Sequence, residues 1–295
     1  TESGELLGRV AGLFFVLNNC STSDEMQQIA MNITPKLTEL ENDISLNPEL
    51  FARVKAVYDQ RKKLKLDEQD MQLLEDTYKG FARSGALLEG KDKELYREYS
   101  SELSQLTLKF GQNAQAATNA FSYNITDPAK VEELPAFVKE GLAAEAEARG
   151  EKGWTVTLHA PSYSPFMTYS TQRDIKEALY RAYNTRGIGG ETDNVENIRR
   201  IAELRLKIAN LLGYKCYADY VLEDRMAEST KTVNGFLAEL NKATLSYAKK
   251  DVAAITEYAH SLGFEGELAP WDFGYYNEKY KEAKYAINDE QIKPY

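Results

Sequence analysis

Apolar residues recur at three- and four-residue intervals from Glu5 to about Phe121, and charged residues lie between them. Leu103, Leu106 and Phe110 show this spacing. Because an α-helix completes one turn in 3.6 residues, the spacing places the apolar side chains on one helical face. The pattern therefore predicts long helices that pack on one another.

Several helix starts can be assigned from side chains that accept hydrogen bonds from a first helical turn. Ser21 or Ser23 precedes two acidic residues, Asn47 precedes a proline, and Asp67 precedes another periodic segment. These residue types favour the N-cap position, and proline favours the first helical position. Pro35 falls inside the second predicted helix and predicts a kink there.

The period changes between Phe121 and about Thr171. Phe121–Thr126 and Trp154–Leu158 alternate in polarity and are rich in β-branched and aromatic residues, which is typical of strands. A helix is predicted between them, near Pro135 to Arg149. This segment therefore predicts a small element of two or three strands.

The stretch after the second strand combines Pro161 and Pro165 with the aromatic residues Tyr163, Phe166 and Tyr169. The prolines predict an irregular loop. Such a loop on a rigid helical frame is a reasonable place for a ligand to bind. The alternative is a loop that is held in place by its own aromatic side chains.

Helical periodicity returns at residues 172–186, breaks at Gly187–Gly190 and resumes from Asp193 to Leu212. The glycines lack the G-x-G-x-x-G spacing of a phosphate-binding loop and predict a flexible linker. We predict a mainly α fold, a multi-helix domain with a small β-hairpin-like element. Its regions are residues 1–120 (N-terminal helical region), 121–171 (small β-containing segment) and 172–295 (second helical region).

Charge and apolar content argue against two classes of partner. The formal net charge is −10, without the basic stripe that a nucleic-acid-binding surface requires. The longest apolar run, residues 11–17, is far shorter than the roughly 20 residues that span a bilayer. We therefore predict neither nucleic acid nor membrane as a partner.

The cysteine content suits a reducing compartment. Cys20 and Cys216 are the two cysteines of the chain, too few for a disulfide framework. We predict two free core thiols and a cytoplasmic location.

The two histidines, His159 and His260, lack the neighbours that would make a zinc motif such as H-E-x-x-H. Glu257 and His260 are three residues apart and match half of a carboxylate-bridged di-metal bundle, but no second Glu-x-x-His is present. The competing interpretation of His260 is a solvated helix end near the helix dipole.

Nucleophilic chemistry would require Cys20 or Cys216 to meet His159 in the fold, and no local signature supports this pairing. Acidic residues are so common that a glycosidase-like pair of carboxylates is equally unconstrained. We therefore assign no catalytic residue and no metal ligand, and the substrate-binding residues are unknown.

Two stretches resemble the thimet-oligopeptidase family of zinc metallopeptidases. The first comprises Ile201–Arg205, Leu211–Tyr214, Tyr217–Tyr220 and Met226-Ala227, and the second is Pro270–Tyr276. A third, comprising Ser3–Leu7, Phe14-Phe15 and Leu46–Val54, is more similar to the bacterial peptidyl-dipeptidase branch. The resemblance has compatible spacing along essentially the whole chain, including Glu290–Tyr295.

The resemblance implies that the chain is the N-terminal part of such a peptidase, one lobe of a two-lobed molecule that encloses a channel for short peptides. It also implies that the H-E-x-x-H motif and the groups that grip substrate lie beyond Tyr295. Zinc would belong to the intact parent, with none expected bound to this chain. Trp271, Asp272, Tyr275 and Tyr276 resemble a substrate box, but aromatic residues at helical spacing are more often packing residues.

Both ends of the chain look cut. The sequence starts at Thr1 without Met or a signal segment, and residues 288–292 look like a helix cap and first turn. We expect a catalytically inert, channel-forming fragment of a peptidase that, when intact, releases dipeptides from C-termini. The alternative is a free-standing acidic helical binding protein, which would show a compact surface without an exposed apolar face.

Overall fold

The computed structural model describes residues 4–287, and the helix cap predicted at residues 288–292 lies outside them. The α-helices in this range are α1 (Glu5–Cys20), α2 (Asp24–Ser45), α3 (Pro48–Gln60), α4 (Glu68–Arg83), α5 (Gly90–Ala120), α6 (Ala136–Ala148), α7 (Ala160–Tyr169), α8 (Arg173–Asn184), α9 (Val195–Leu211), α10 (Tyr217–Leu222), α11 (Thr230–Ser261) and α12 (Pro270–Tyr285). The strands are β1 (Ser122–Ile125) and β2 (Trp154–Thr157). The predicted mainly α fold with a small β element is confirmed.

The helices begin at the predicted caps. Ser23 Oγ accepts from the amide of Met26 at 3.2 Å, which starts α2. Asp67 Oδ1 accepts from the amide of Asp70 at 2.8 Å, which starts α4. Asn47 Oδ1 accepts from the amides of Glu49 and Leu50, which starts α3. Each acceptor satisfies an amide that has no partner inside the helix, so the first turn is stabilised.

The chain divides into two compact units. Within residues 4–287, unit 1 comprises the residues up to Gln112 together with Asn194–Thr232. Unit 2 comprises Asn113–Asp193 together with the residues from Val233 onwards. Both units are discontinuous in sequence, whereas the three predicted regions are continuous segments, and that division stays a prediction.

Unit 2 has an apolar core built on the β-hairpin-like element. Strands β1 and β2 are antiparallel, and Ser122 is opposite Thr157 in the register. Buried residues of the strands, of the segments that flank them and of α6, α7 and α8 form one cluster: Ile125, Val131, Leu134, Val138, Leu142, Val156, Leu158, Phe166, Ile175 and Leu179. The sheet is covered by helices on this face and does not stand alone, which is what two short strands require for stability.

The irregular loop predicted around Pro161 and Pro165 is wrong, because the stretch forms helix α7. Pro161 lies in the first turn, where its missing N–H removes no hydrogen bond. Phe166 is fully buried in the core, and the rings of Tyr163 and Tyr183 stack with centroids 4.4 Å apart. The packing of these aromatic side chains holds the segment and outweighs the cost of Pro165 inside the helix.

The turn from α6 into β2 depends on two glycines with positive φ, Gly150 at +71° and Gly153 at +89°. At Gly153 a Cβ atom would overlap the carbonyl oxygen of Ile125 and lie 3.1 Å from Cα of Thr126. The absence of a side chain there lets the turn approach the end of β1. At Gly150 a Cβ would meet nothing within 4 Å.

In unit 1, aromatic side chains line the contact between α3 and α4. Tyr58 and Tyr78 stack with ring centroids 3.8 Å apart, and Phe51 lies 5.7 Å from Tyr78. The guanidinium of Arg61 lies 3.8 Å from the centre of the Tyr58 ring, in cation–π geometry. Helices α3 and α4 are therefore held together by stacked rings, with a cation at one end of the stack.

Tyr96 on α5 makes the stability of unit 1 sensitive to alkaline pH. Burial raises the pKa of its hydroxyl to about 12, from an ordinary value of 10.0. Between those values the unfolded chain ionises while the folded chain stays protonated, so stability falls as pH rises.

We expect the wild type to lose about 2 kcal/mol more than Tyr96→Phe between pH 9 and pH 12. Urea unfolding at a series of pH values measures this difference. A constant offset between the two proteins at every pH would contradict the prediction, because an offset reports only lost packing.

Candidate functional site

Helices α8 and α12 of unit 2 bring basic and aromatic side chains together. The stretch Pro270–Tyr276, singled out above for its resemblance to a known family, forms the start of α12. We define the α8–α12 cluster by these residues: Arg173, Lys176, Tyr180, Arg181, Phe264, Trp271, Asp272, Tyr275 and Tyr276. Arg173, Lys176 and Tyr180 recur at three- and four-residue spacing, so they share one face of α8, and Arg181 lies beside that face. The cluster is therefore the candidate site.

A two-pronged ion pair lies at the centre of the cluster. Arg173 Nε donates to Asp272 Oδ1 at 3.0 Å, and Arg173 Nη2 donates to Asp272 Oδ2 at 3.0 Å. Asp272 is 1% exposed, whereas 52% of the Arg173 side chain remains exposed. The pair therefore fixes one edge of the guanidinium, while half of the arginine side chain stays accessible to solvent.

Asp272 also begins α12. Its Oδ2 accepts from the amide of Ala269 at 2.9 Å, which is the residue immediately before the helix. A carboxylate at the third helical position that bonds back to the N-cap amide is one half of a capping box. One buried side chain therefore stabilises both the helix start and its attachment to α8.

The cations of the cluster lie over aromatic rings. The guanidinium carbon of Arg173 lies 5.9 Å from the Trp271 ring centre, and that of Arg181 lies 5.2 Å from it. Lys176 Nζ lies 4.9 Å from the Tyr275 ring centre. Such pairs are attractive, and more so where the cation is removed from water.

Burial shapes the ionisation of the cluster. Lys176 is only 2% exposed, and its burial lowers the pKa of its ammonium. The hydrogen bonds to Asp272 raise the pKa of Arg173, which keeps it charged. Burial raises the pKa of Tyr276. The arrangement presents a half-exposed guanidinium, held by Asp272, beside half-buried rings, which suits binding of an acidic or aromatic group.

The four residues singled out at the start of α12 have packed positions. Asp272 is buried in its ion pair, and Trp271, Tyr275 and Tyr276 are half-buried. Trp271 is 5.8 Å from Tyr180, centroid to centroid. These contacts favour the packing interpretation over a free substrate box.

The two histidines lie at separate places in unit 2. His159 precedes α7, is exposed and lines the rim of a cavity of about 320 Å³ with Phe137 and Ser162. His260 Nε2 is 2.8 Å from the carbonyl oxygen of Gly266. His260 is therefore engaged by the loop that follows α11, as a helix-end histidine.

The described residues do not fit a zinc ion. No group of three or more His, Cys, Asp and Glu side chains within residues 4–287 could hold a metal. A catalytic zinc needs three protein ligands, so no reaction step of zinc can be assigned to these residues.

The two cysteines are free, but the prediction that they are core thiols is wrong. Cys20 is exposed at the end of α1, and Cys216 is half-buried immediately before α10. Both positions are helix ends, where the side chain is not directed into a helix-packing face.

The other stretch singled out for its family resemblance, on α9 and α10, contributes to a second polar cluster, in unit 1. Arg83 on α4 donates to the carbonyl oxygen of Tyr220 at 2.7 Å and pairs with Glu223, which also accepts from the Tyr214 hydroxyl. Lys79, which lies one turn before Arg83 on α4, pairs with Asp224. These side chains border a cavity of about 440 Å³ and connect α4 to the segment that follows α9.

Sequence reasoning did not identify Arg173, Lys176 or Arg83. Arg173 meets a partner 99 residues away, and Arg83 meets the carbonyl of a residue 137 positions away. A lysine in a helix that also carries exposed charges gives no sign that it will be buried. The basic residues Arg173, Lys176 and Arg181 of α8 were the available signal, and their spacing does not distinguish a surface salt bridge from a buried one.

Comparisons with known proteins identify relatives. Residues 166–295 match the model of peptidase family M3. Over 299 residues and all of this chain, "Oligopeptidase A" of Salmonella typhimurium is 31% identical and "Dipeptidyl carboxypeptidase" of Escherichia coli is 32% identical. "Probable cytosolic oligopeptidase A" of Arabidopsis thaliana is 30% identical over 98% of the chain.

The chain spans less than half the length of these relatives, 44% of the two bacterial proteins and 42% of the plant protein. The resemblance predicted from the sequence is confirmed at the level of the family. The two branches are matched with nearly equal identity, so the assignment to the peptidyl-dipeptidase branch stays a prediction.

Proposed function

We propose that the chain, which resembles the thimet-oligopeptidase family and matches the model of peptidase family M3 over residues 166–295, is the substrate-channel-forming N-terminal part of a zinc-dependent peptidase. The intact enzyme would cleave short peptides and, in the peptidyl-dipeptidase branch, release dipeptides from C-termini. The observation that carries this proposal is the match of the whole chain to peptidases of which it spans 44%.

The zinc ligands are proposed to lie in the rest of the parent, because residues 4–287 do not fit the ion. When bound there, zinc would polarise a peptide carbonyl and activate water. This chain would contribute the shape of the channel and an acidic, aromatic-lined wall, consistent with its net charge of −10.

A cytoplasmic location is part of the proposal and is supported by the plant relative named as cytosolic. None of the helices within residues 4–287 combines the length and the apolar character that crossing a bilayer requires.

Peptidase assays on two proteins test the proposal. The present chain is expected to release no product above background from short peptides, with or without added zinc. The same chain extended by the downstream part of its reading frame is expected to hydrolyse them, and a chelator should abolish the activity. Robust zinc-dependent release of dipeptides by the present chain would refute the proposal.

The same assay separates the two branches. Release of a C-terminal dipeptide requires recognition of the free carboxylate, so amidation of the peptide should block a peptidyl-dipeptidase and spare an oligopeptidase. Mass spectrometry of the products identifies the bond that is cleaved.

A further inference from the structure

The first two thirds of helix α11 are surrounded by solvent. Every residue from Asn234 to Ala253 is exposed. At 1.5 Å per residue this segment is about 30 Å long. It carries six large apolar residues with exposed side chains: Phe236, Leu237, Leu240, Leu245, Tyr247 and Val252. Phe236 is 64% exposed and Tyr247 is 66% exposed.

Four of these six apolar side chains, those of Phe236, Leu237, Leu240 and Tyr247, share one side of the helix, whereas Leu245 and Val252 lie towards its other side. Leu237, Leu240 and Tyr247 are separated by three and seven residues, which places them on one face at 100° per residue. Lys242 and Lys249 lie on the opposite face by the same count. The segment is therefore amphipathic, although no buried residue of the described chain lies within it.

This apolar face continues into one that the fold does bury. Tyr258 lies eleven residues after Tyr247, which is three helical turns, and its ring contacts Tyr280 of α12 at 5.6 Å. Ile255 is on the same side and is buried. This side of α11 is thus covered at its C-terminal end and exposed along the preceding turns, where Thr244 and Asp251 interrupt the apolar residues.

Such a helix is poorly stable without a partner. Most helical stability in proteins comes from packing of an amphipathic face, and isolated helices are marginal in water. A helical side that exposes Phe236, Leu237, Leu240 and Tyr247 together is also unusual on a monomer and marks an interaction surface.

We propose that the stripe formed by Phe236, Leu237, Leu240 and Tyr247 is the docking surface for the polypeptide that follows this chain in the parent peptidase. This inference rests on the proposed function. The relatives are more than twice as long as the present chain, so the family supplies further sequence to cover the stripe. The continuity with the α11–α12 contact favours a covering helix of the same molecule that extends the existing packing.

Hydrogen–deuterium exchange on two proteins tests the docking. In the present chain, the amides of residues 236–252 are expected to exchange quickly. In the chain extended through its downstream region they should exchange roughly 100-fold more slowly, because opening the helix would then require undocking. Fast exchange in both proteins would overturn the proposal.

Matched variants of the extended protein locate the contact. Leu240→Glu with Tyr247→Glu places two carboxylates in the stripe and should restore fast exchange in α11. Ala238→Glu with Ala253→Glu adds the same charge to the opposite face and should leave the slow exchange unchanged. Equal effects of the two pairs would contradict docking through the stripe.

Two other occupants are outcomes of the same experiment. Slow exchange in the present chain that increases with protein concentration, together with a dimer in sedimentation, would assign the stripe to a second copy and overturn the proposal. Slow exchange only on addition of anionic vesicles would do the same in favour of a lipid surface.

Activity distinguishes this inference from the proposed function. An extended protein without peptidase activity but with a protected α11 would refute the function and support the docking. An active peptidase with an unprotected α11 would refute the docking alone.

Discussion

Replacing Arg173 by leucine is expected to destabilise unit 2 by about 3 kcal/mol, because it leaves the Asp272 carboxylate buried without its counter-charge. Asp272 would keep only the hydrogen bond from the amide of Ala269. Leucine retains much of the packing of the arginine stem, so the loss reports the charge. The free energy of unfolding from urea denaturation measures it.

Arg181→Leu is the matched control. Arg181 lies on the same helix and near the same Trp271 ring, but its partner Glu177 is four residues away and both side chains are exposed. The expected loss is about 0.5 kcal/mol, as for other exposed ion pairs. Equal losses in the two variants would show that the burial of Asp272 does not set the energy.

Gly153→Ala is expected to destabilise unit 2 by about 2–4 kcal/mol, through a strained φ and a collision with backbone. The methyl group would overlap the carbonyl oxygen of Ile125, which cannot move without shifting the pairing of β1 with β2. Thermal or urea unfolding measures the loss, and a change in the exchange of the β1 and β2 amides would locate it.

Gly150→Ala isolates the cost of the backbone angle. Gly150 has a similar positive φ of +71°, and its Cβ would meet nothing within 4 Å. We expect a loss of about 1 kcal/mol. If Gly153→Ala were no worse than Gly150→Ala, the close approach to Ile125 would not be a constraint.

The sequence predicted those parts of the fold that local chemistry determines. The caps Ser23, Asn47 and Asp67 and the strands near 122 and 154 were found because their signals lie within a few residues. The segment around Pro161 was predicted wrongly. Its two prolines are a local signal, whereas the burial of Phe166 that decides its conformation depends on residues from three other elements.

The candidate site was predictable only in its α12 half. Trp271, Asp272 and the tyrosines stand out as a motif, but their partner Arg173 is 99 residues earlier on α8. The sequence could not indicate that α11 would be covered near Ile255 and exposed near Leu240, because periodicity is a property of one helix, whereas covering depends on a second element.

The interleaving of the two units has a consequence during synthesis on the ribosome. Unit 1 is complete only when Thr232 has been added, although its first segment ends at Gln112. At roughly 5–20 residues per second, about 120 further residues take about 6 to 24 s. Through that interval Arg83 on α4 and Glu102 on α5 belong to a nascent chain in which their partners Tyr220 and Arg200 do not yet exist. The first 112 residues are therefore expected to be a substrate for co-translational chaperones rather than an early-folding domain.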